Sequence, residues 1–258
     1  LEPGSADARH PLLAAALAEI PPPAGYALEL TIHSDMPAGA STGTSAAVTV
    51  ALLGALDALT PGRMSAHQAA YAAHRVETER LGLQSGIQDQ LCSAYGGISY
   101  IEMFEYPHAS VSPVEPARAV CWELERRLVL VYLGHSHSSS AVHQKVIAEL
   151  EAEGSRSPRL AGLRRTAAAS RDALLAGDFA ALGQAMAVNT DLQRELHPDL
   201  VGPAAQSLID LARAHGALGW KVNGAGGEGG SVTLLCGPDA SARRELLRAI
   251  PAHNPLLR

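Results

Sequence analysis

The spacing of apolar residues divides the first sixty positions into a helix, a strand and a second helix. The apolar run from Pro11 to Ile20 predicts a helix, and the prolines at 21–23 end it because proline cannot continue a helix. Apolar residues alternate from Tyr26 to Ile32, which predicts a half-buried strand. Apolar residues then recur at helical spacing from Ala46 to Leu59. A loop of small residues joins this strand to the helix that follows.

The next segment contains a helix start signal and a second strand. Ser65 with Gln68 three residues later forms a capping box, which predicts a helix running to about Leu81 with Gly82 as its stop. A loop over 84–90 follows. The run from Ile98 to Met103 is typical of a strand.

The second half of the chain begins with an irregular stretch from Val111 to Pro116. Its two prolines and lack of periodicity predict a domain boundary. The continuous apolar run from Leu128 to Leu133 predicts a strand buried on both faces. The pattern from Ser140 to His215 is mostly helical, with interruptions at 154–158, at Gly177 and at 197–198. We then expect strands over Trp220–Asn223 and Ser231–Cys236 around a glycine-rich turn, and a closing helix over Ala240–Arg248.

Composition excludes several classes of protein. The 258 residues are 47% hydrophobic and 18% charged, which suits a globular protein with one large or two modest domains. A net charge of −6 without basic clusters argues against a nucleic-acid partner. Neither a long apolar run nor a basic leader occurs, so we expect no membrane association. The three cysteines are widely spaced, which argues against disulfides or zinc and favours the cytoplasm.

The residues from Gly39 to Ala47 are small and stand between the predicted strand and helix. Backbone N–H groups at a helix N-terminus bind phosphate well, and the Ser and Thr hydroxyls of this loop can donate to phosphate or ligate magnesium. No Gly-Lys-Ser/Thr follows, so it is not a Walker loop. The alternative is a tight turn whose hydroxyls cap the helix.

The stretch from Gly224 to Gly230 contains the spacing G-x-G-x-x-G. A dinucleotide-binding fingerprint must open a helix, whereas the residues from Ser231 have strand composition and the chain ends soon afterwards. We therefore favour a hairpin turn. Such a turn either covers a ligand with its backbone amides or is only flexible.

Three segments in the same order resemble the motifs of the GHMP small-molecule kinases. Pro37–Ala46 is similar to the family's phosphate loop P-x-x-x-G-L-G-S-S-A, with Ser-Thr in place of Gly-Leu. Gly86–Gln90, followed by Gly96-Gly97, resembles the G-x-x-D-Q segment of the sugar kinases. Lys221–Gly230 is similar to K-x-x-G-A-G-G-G-G, with Glu228 as the departure.

The resemblance implies an α+β protein with the GHMP kinase fold. Its N-terminal domain, residues 1–112, would resemble domain 2 of ribosomal protein S5, and its C-terminal domain, residues 113–258, would be ferredoxin-like. The implied activity is ATP-dependent and Mg²⁺-dependent phosphorylation of a sugar or sugar phosphate, with heptose 7-phosphate or a related hexose at the anomeric position as first choice. The protein would act as a monomer or homodimer.

One family segment, similar to P-G-R-V-N-L-I-G-E-H-T-D, does not occur before Pro37, and the sequence does not begin with Met. Either the opening segment is absent from this sequence, or the chain is a degenerate relative. A non-catalytic nucleotide- or sugar-binding regulator is therefore the alternative function.

The resemblance also assigns residues. Asp89 falls on the catalytic aspartate and would orient the sugar hydroxyl, although an Asp that only satisfies turn amides is the alternative. Glu77, twelve residues before Asp89, would bind Mg²⁺ with Ser45; Glu79 is the reserve candidate, and two solvated glutamates are the alternative. The residues expected at the ATP phosphates are Pro37, Gly39, Ala40, Ser41, Thr42, Gly43, Thr44, Ser45 and Ala46. Those expected at the sugar are Asp89, Tyr95, Gly226 and Gly227.

His135, His137 and His143 lie close together in the sequence. No carboxylate or cysteine accompanies them, so we interpret this segment as a polar loop rather than a metal site.

Overall fold

The computed structural model describes residues 9–37, 39–60, 62–135, 146–148, 150, 157–224, 226–227, 229–254 and 256–257. They form two compact units. The first unit contains the chain up to Pro37 and Gly43–Pro113, and the second contains 38–42 and everything from Val114 onward. The small-residue loop is therefore divided between the two units. Its residues up to Thr42 belong to the second unit, and those from Gly43 onward belong to the first.

The first unit consists of helices and a two-stranded antiparallel sheet. In chain order its elements are α1 (Pro11–Glu19), α2 (Thr44–Asp57), α3 (Ala66–Arg75), a π-helical turn (Val76–Arg80), α4 (Gln88–Tyr95), β1 (Ser99–Glu105) and β2 (His108–Pro113). Both hydrogen bonds of the Ser65–Gln68 capping box are present, which confirms the predicted start of α3. The apolar faces of α1, α2 and α3 meet in one cluster that includes Leu17, Leu53 and Val76.

Three sequence predictions for this unit were wrong. The alternating stretch 26–32 is not a strand: its large side chains are exposed, Tyr26 by 64%, and no strand of the described residues pairs with it. The expected loop over 84–90 ends early, since Gln88 already begins α4. The stretch Val111–Pro116 is not irregular throughout, since its residues to Pro113 belong to β2, which pairs with β1, although the two units do divide within it, between Pro113 and Val114.

The second unit packs helices with a three-stranded antiparallel sheet of order β3-β5-β4. Its elements are α5 (Arg118–Arg127), β3 (Leu128–Tyr132), α6 (Pro158–Ala176), α7 (Phe179–Leu196), a 3-10 turn (Pro198–Leu200), α8 (Pro203–Ala214), β4 (Gly219–Val222), β5 (Ser231–Leu235) and α9 (Ala240–His253). The core gathers residues of β3 and β5 with those of α8 and α9, among them Val131, Leu208, Leu234 and Leu246.

The strands and helices predicted from Pro158 onward are confirmed, including β4 and β5 on either side of the glycine-rich turn. The prediction that Leu128–Leu133 is buried on both faces was wrong. Val129 and Val131 belong to the core while Leu130 is 40% exposed, because successive side chains of a strand point to opposite faces of the sheet. The mixture of helices and antiparallel sheets confirms the α+β class. None of the helices in the described part of the chain is long and apolar enough to cross a membrane.

Candidate active site

The small-residue loop has an unusual backbone. Gly39, Ser41 and Gly43 all have positive φ angles, of 75°, 55° and 70°. Ser41 is the only residue other than glycine with a positive φ among those the structure describes. A left-handed backbone is disfavoured for a residue with a β-carbon, so the surrounding structure must hold Ser41 in this conformation.

In the first unit, the end of the loop lies directly against the Asp89 side chain. A β-carbon built at Gly43 would lie 3.1 Å from both Cβ and Cγ of Asp89 and 3.3 Å from its Oδ2. Gly43 is also the N-cap of α2, so it has no side chain to compete for the first amide groups of that helix. Asp89 itself is exposed in the first turn of α4. An exposed carboxylate thus stands beside a helix N-terminus suited to anions.

Glu77 lies in the π-helical turn after α3 and is only 6% exposed. Its Oε2 accepts hydrogen bonds from Ser85 Oγ at 2.6 Å and from Gln90 Nε2 at 2.9 Å. Its Oε1 is buried without a hydrogen-bond partner, and so is Oε1 of Gln90. Two buried oxygens without a donor are costly to leave unmatched, and both are hard ligands of the type that Mg²⁺ prefers. Glu79, by contrast, is exposed.

The loop that carries Ser85 is fixed by a buried histidine. His74 is 5% exposed, and its Nε2 lies 2.9 Å from the Tyr106 hydroxyl, which donates to the Ser85 carbonyl at 2.9 Å. Burial lowers the pKa of His74. Because this lowers the pKa below the ordinary value of histidine, the ring is neutral at pH 7. This arrangement holds Ser85 where its hydroxyl reaches Glu77.

In the second unit, polar side chains lie under the glycine-rich turn. Lys221 Nζ donates to Gln193 Oε1 at 2.8 Å and to the Val222 carbonyl, and Gln193 Nε2 donates to the Gly224 carbonyl at 3.2 Å. Burial lowers the pKa of Lys221 to about 8. A β-carbon at Gly224 would lie 3.0 Å from Cβ of Ser41, so the turn and residue 41 are in close contact.

The other residues assigned from the sequence are placed as follows. Ser45 is exposed in the first turn of α2, and its carbonyl accepts from the Thr49 hydroxyl. Tyr95 is 42% exposed, with its hydroxyl 3.5 Å from Nδ1 of His67. Gly226 and Gly227 are buried, whereas Gly224 is exposed. The roles of these residues at ATP, sugar and metal stay predictions.

Sequence reasoning did not single out Ser85 and Gln90, which bond Glu77, or Gln193, which bonds Lys221. Gln90 stands beside the assigned aspartate, but nothing in its neighbourhood indicates that it bonds Glu77, 13 residues earlier.

Among the described residues, no group of three or more His, Cys, Asp or Glu side chains is arranged to hold a metal ion. His135 belongs to the described residues, while His137 and His143 lie outside them. A metal ion held by few protein ligands is typical of Mg²⁺, which keeps water and phosphate oxygens in its shell.

Two family models match the chain: GHMP kinases N terminal domain over residues 11–97, and GHMP kinases C terminal over residues 170–256. The D-glycero-alpha-D-manno-heptose 7-phosphate kinase of Campylobacter jejuni is 25% identical, over 86% of this chain and 64% of its own length. The mevalonate kinase of Thermococcus sibiricus is 32% identical, over 78% of this chain and 57% of its own. This chain therefore spans less than two thirds of either relative.

A similar fold occurs in the crystal structure of a D-glycero-D-manno-heptose 1-phosphate kinase from Bacteroides thetaiotaomicron. It matches with a TM-score of 0.71 at 23% identity, over 98% of this chain and 71% of that one. At this identity the likeness concerns the fold.

Proposed function

Since the chain belongs to the GHMP kinase family, we propose that it carries out ATP-dependent phosphorylation of a hydroxyl group on a small sugar or sugar phosphate. Heptose 7-phosphate, phosphorylated at its anomeric hydroxyl, is the substrate of first choice. The observation that carries this proposal is the approach of the Asp89 carboxylate to Gly43 at the end of the small-residue loop.

Phosphoryl transfer asks little covalent chemistry of a protein, because catalysis comes mainly from positioning and from compensation of charge. The backbone amides of the loop and of the first turn of α2 would bind the ATP phosphates. Asp89, exposed beside them, would accept a hydrogen bond from the acceptor hydroxyl and take its proton as the new bond forms.

Glu77 and Ser45 would hold the magnesium ion. A magnesium ion held there would supply positive charge that compensates the negative charge of the ATP phosphates. Ser85 and Gln90 both donate to Oε2 of Glu77, so Oε1, which has no hydrogen-bond partner, would be the oxygen available to the cation. Hydrogen bonds to one oxygen of a carboxylate commonly orient the other oxygen toward a metal ion.

The segment Gly86–Gln90 and the similarity to the Campylobacter enzyme over 86% of the chain favour a sugar phosphate. Mevalonate is the second candidate, supported by 32% identity to the Thermococcus enzyme. A coupled assay of ADP release should compare heptose 7-phosphate, galactose, fucose and mevalonate. Turnover with mevalonate alone would overturn the sugar assignment, and ATP binding without turnover would favour the non-catalytic alternative.

The decisive variant is Asp89→Asn. We expect kcat to fall by about 10²–10⁴-fold while the affinity for ATP, measured calorimetrically, is retained. Asp172→Asn, on the exposed face of α6, is the control and should leave kcat unchanged. Full turnover by Asp89→Asn would refute the role of this carboxylate.

A further inference from the structure

Ser231 is a buried hydroxyl residue at the start of β5, and its hydrogen bond reaches a distant part of the sequence. The residue is 1% exposed, and its Oγ donates to the Ala40 carbonyl at 2.6 Å. Ala40, also 1% exposed, precedes Ser41 in the small-residue loop. Both partners belong to the second unit. A side chain of the glycine-rich hairpin therefore anchors the backbone of residues 39–42.

Asn223 fixes the direction of this hydrogen bond. Its Nδ2 donates to Ser231 Oγ at 3.0 Å and to Thr233 Oγ1 at 3.0 Å, and its Oδ1 accepts from Thr233 at 3.2 Å. A serine hydroxyl has a single proton to donate. Because Ser231 Oγ already accepts from Asn223, that proton is directed to the Ala40 carbonyl.

Anchoring this carbonyl also orients the next amide. The peptide unit between Ala40 and Ser41 is planar and trans, so the Ser41 N–H points away from the side on which Ser231 holds the Ala40 oxygen. The same restraint keeps Ser41 at its φ of 55°, with Gly224 against its side chain. The orientation of the Ser41 amide therefore depends on Ser231 and, behind it, on Asn223.

We propose that Asn223 and Ser231 are positioning residues for nucleotide binding, which aim the Ser41 amide at a phosphate group through the Ala40 carbonyl. The inference rests on the proposed function and assigns these two residues to the nucleotide rather than to the sugar. Neither residue touches the nucleotide itself.

The test uses the full-length protein with Ser231→Ala, Ser231→Thr and Asn223→Asp. Ser231→Ala removes the donor, and we expect the KM for ATP to rise by about tenfold while kcat and the KM for the sugar change by less than about twofold. Ser231→Thr retains the hydroxyl and should restore the wild-type KM for ATP. Asn223→Asp replaces the donating amide with an acceptor that competes for the Ser231 proton, so it should raise the KM for ATP as well.

Thr190→Val is the matched control. The Thr190 hydroxyl, also buried, bonds the Met186 and Trp220 carbonyls and the Val222 amide of the same unit, and these partners lie outside the loop. An equal rise in the KM for ATP in Thr190→Val and Ser231→Ala would overturn the proposal, because general loosening of the sheet would then explain both.

Calorimetric ATP affinities, measured without sugar, give a second readout and should follow the KM values. If Asn223→Asp leaves the ATP affinity unchanged, the proposal that Asn223 acts through Ser231 on the Ser41 amide is overturned, even if Ser231→Ala does not fold. Absence of ATP binding in the wild-type protein would instead refute the proposed function, so the two failures are distinguishable.

Discussion

Replacing Gly43 with alanine tests whether the loop positions Asp89. Gly43 has a φ of 70°, and an alanine β-carbon would lie 3.1 Å from Cβ and Cγ of Asp89. The left-handed backbone costs a residue with a β-carbon about 1–2 kcal/mol. For a protein of this size we expect a Tm lower by about 2–8 °C. The aspartate must also give way by a few tenths of an ångström.

Gly82→Ala separates these two effects. Gly82 has a nearly identical φ of 64°, but a β-carbon there meets no atom within 4 Å. The Tm of both variants should therefore fall by a similar amount. Only Gly43→Ala should also lower kcat, by about tenfold or more, because a small displacement of a catalytic group greatly slows the reaction. Differential scanning fluorimetry and the coupled ADP assay provide the two measurements. Equal kcat values in the two variants would refute the reasoning that the loop positions Asp89.

Three further predictions concern the metal, a buried lysine and a helix cap. Glu77→Gln should raise the Mg²⁺ concentration that gives the half-maximal rate on the order of tenfold, and Mn²⁺ binding, measured by electron paramagnetic resonance, should weaken by a similar factor. Glu79→Gln, the control, should change neither quantity. Equal effects in the two variants would exclude Glu77 as the specific ligand. Burial lowers the pKa of Lys221 from its ordinary value of 10.5 to about 8. Between these two pH values the unfolded chain binds more protons than the folded protein, so the free energy of unfolding should rise with pH in this window. The Tm of the wild type relative to Lys221→Met should therefore increase from about pH 7 to about pH 10, and a constant difference would contradict the assignment. Ser65→Ala removes the observed capping box and should cost about 1 kcal/mol, seen as a lower Tm at unchanged kcat; a large loss of kcat would contradict a purely structural role.

The helices α1 to α3 and α6 to α9 were predictable because their signals are local, whereas α4 and α5 were not predicted. The capping box at Ser65 and Gln68, the proline at the start of α1 and the glycine after α6 act within a few residues of the helix end that they define. The strand predicted over 26–32 failed for the opposite reason. Alternation describes the side chains, but a strand exists only with a hydrogen-bonded neighbour, and local sequence does not specify that neighbour. The short strand β2 was missed because its His, Ser and Pro residues resemble a linker.

The candidate site was predictable only in part. Motif resemblance selected Asp89, and the structure places it beside Gly43, although its catalytic role stays a prediction. The residues that hold these groups in place were not predictable. Ser85 and Gln90 converge on one oxygen of Glu77 only because the π-helical turn and the loop after it bring them together. Ser231 meets Ala40 across 191 positions of sequence, and no local pattern encodes such a pairing.

The assignment of residues 38–42 to the second unit means that the protein has no single point at which it can be cut into two independent halves. A truncated gene beginning at Val114 would encode every strand of the second sheet, yet it would lack Ala40, and the Ser231 hydroxyl would lose its acceptor. A chimera that exchanges the C-terminal half with that of a relative would likewise have to include residues 38–42 from the same parent.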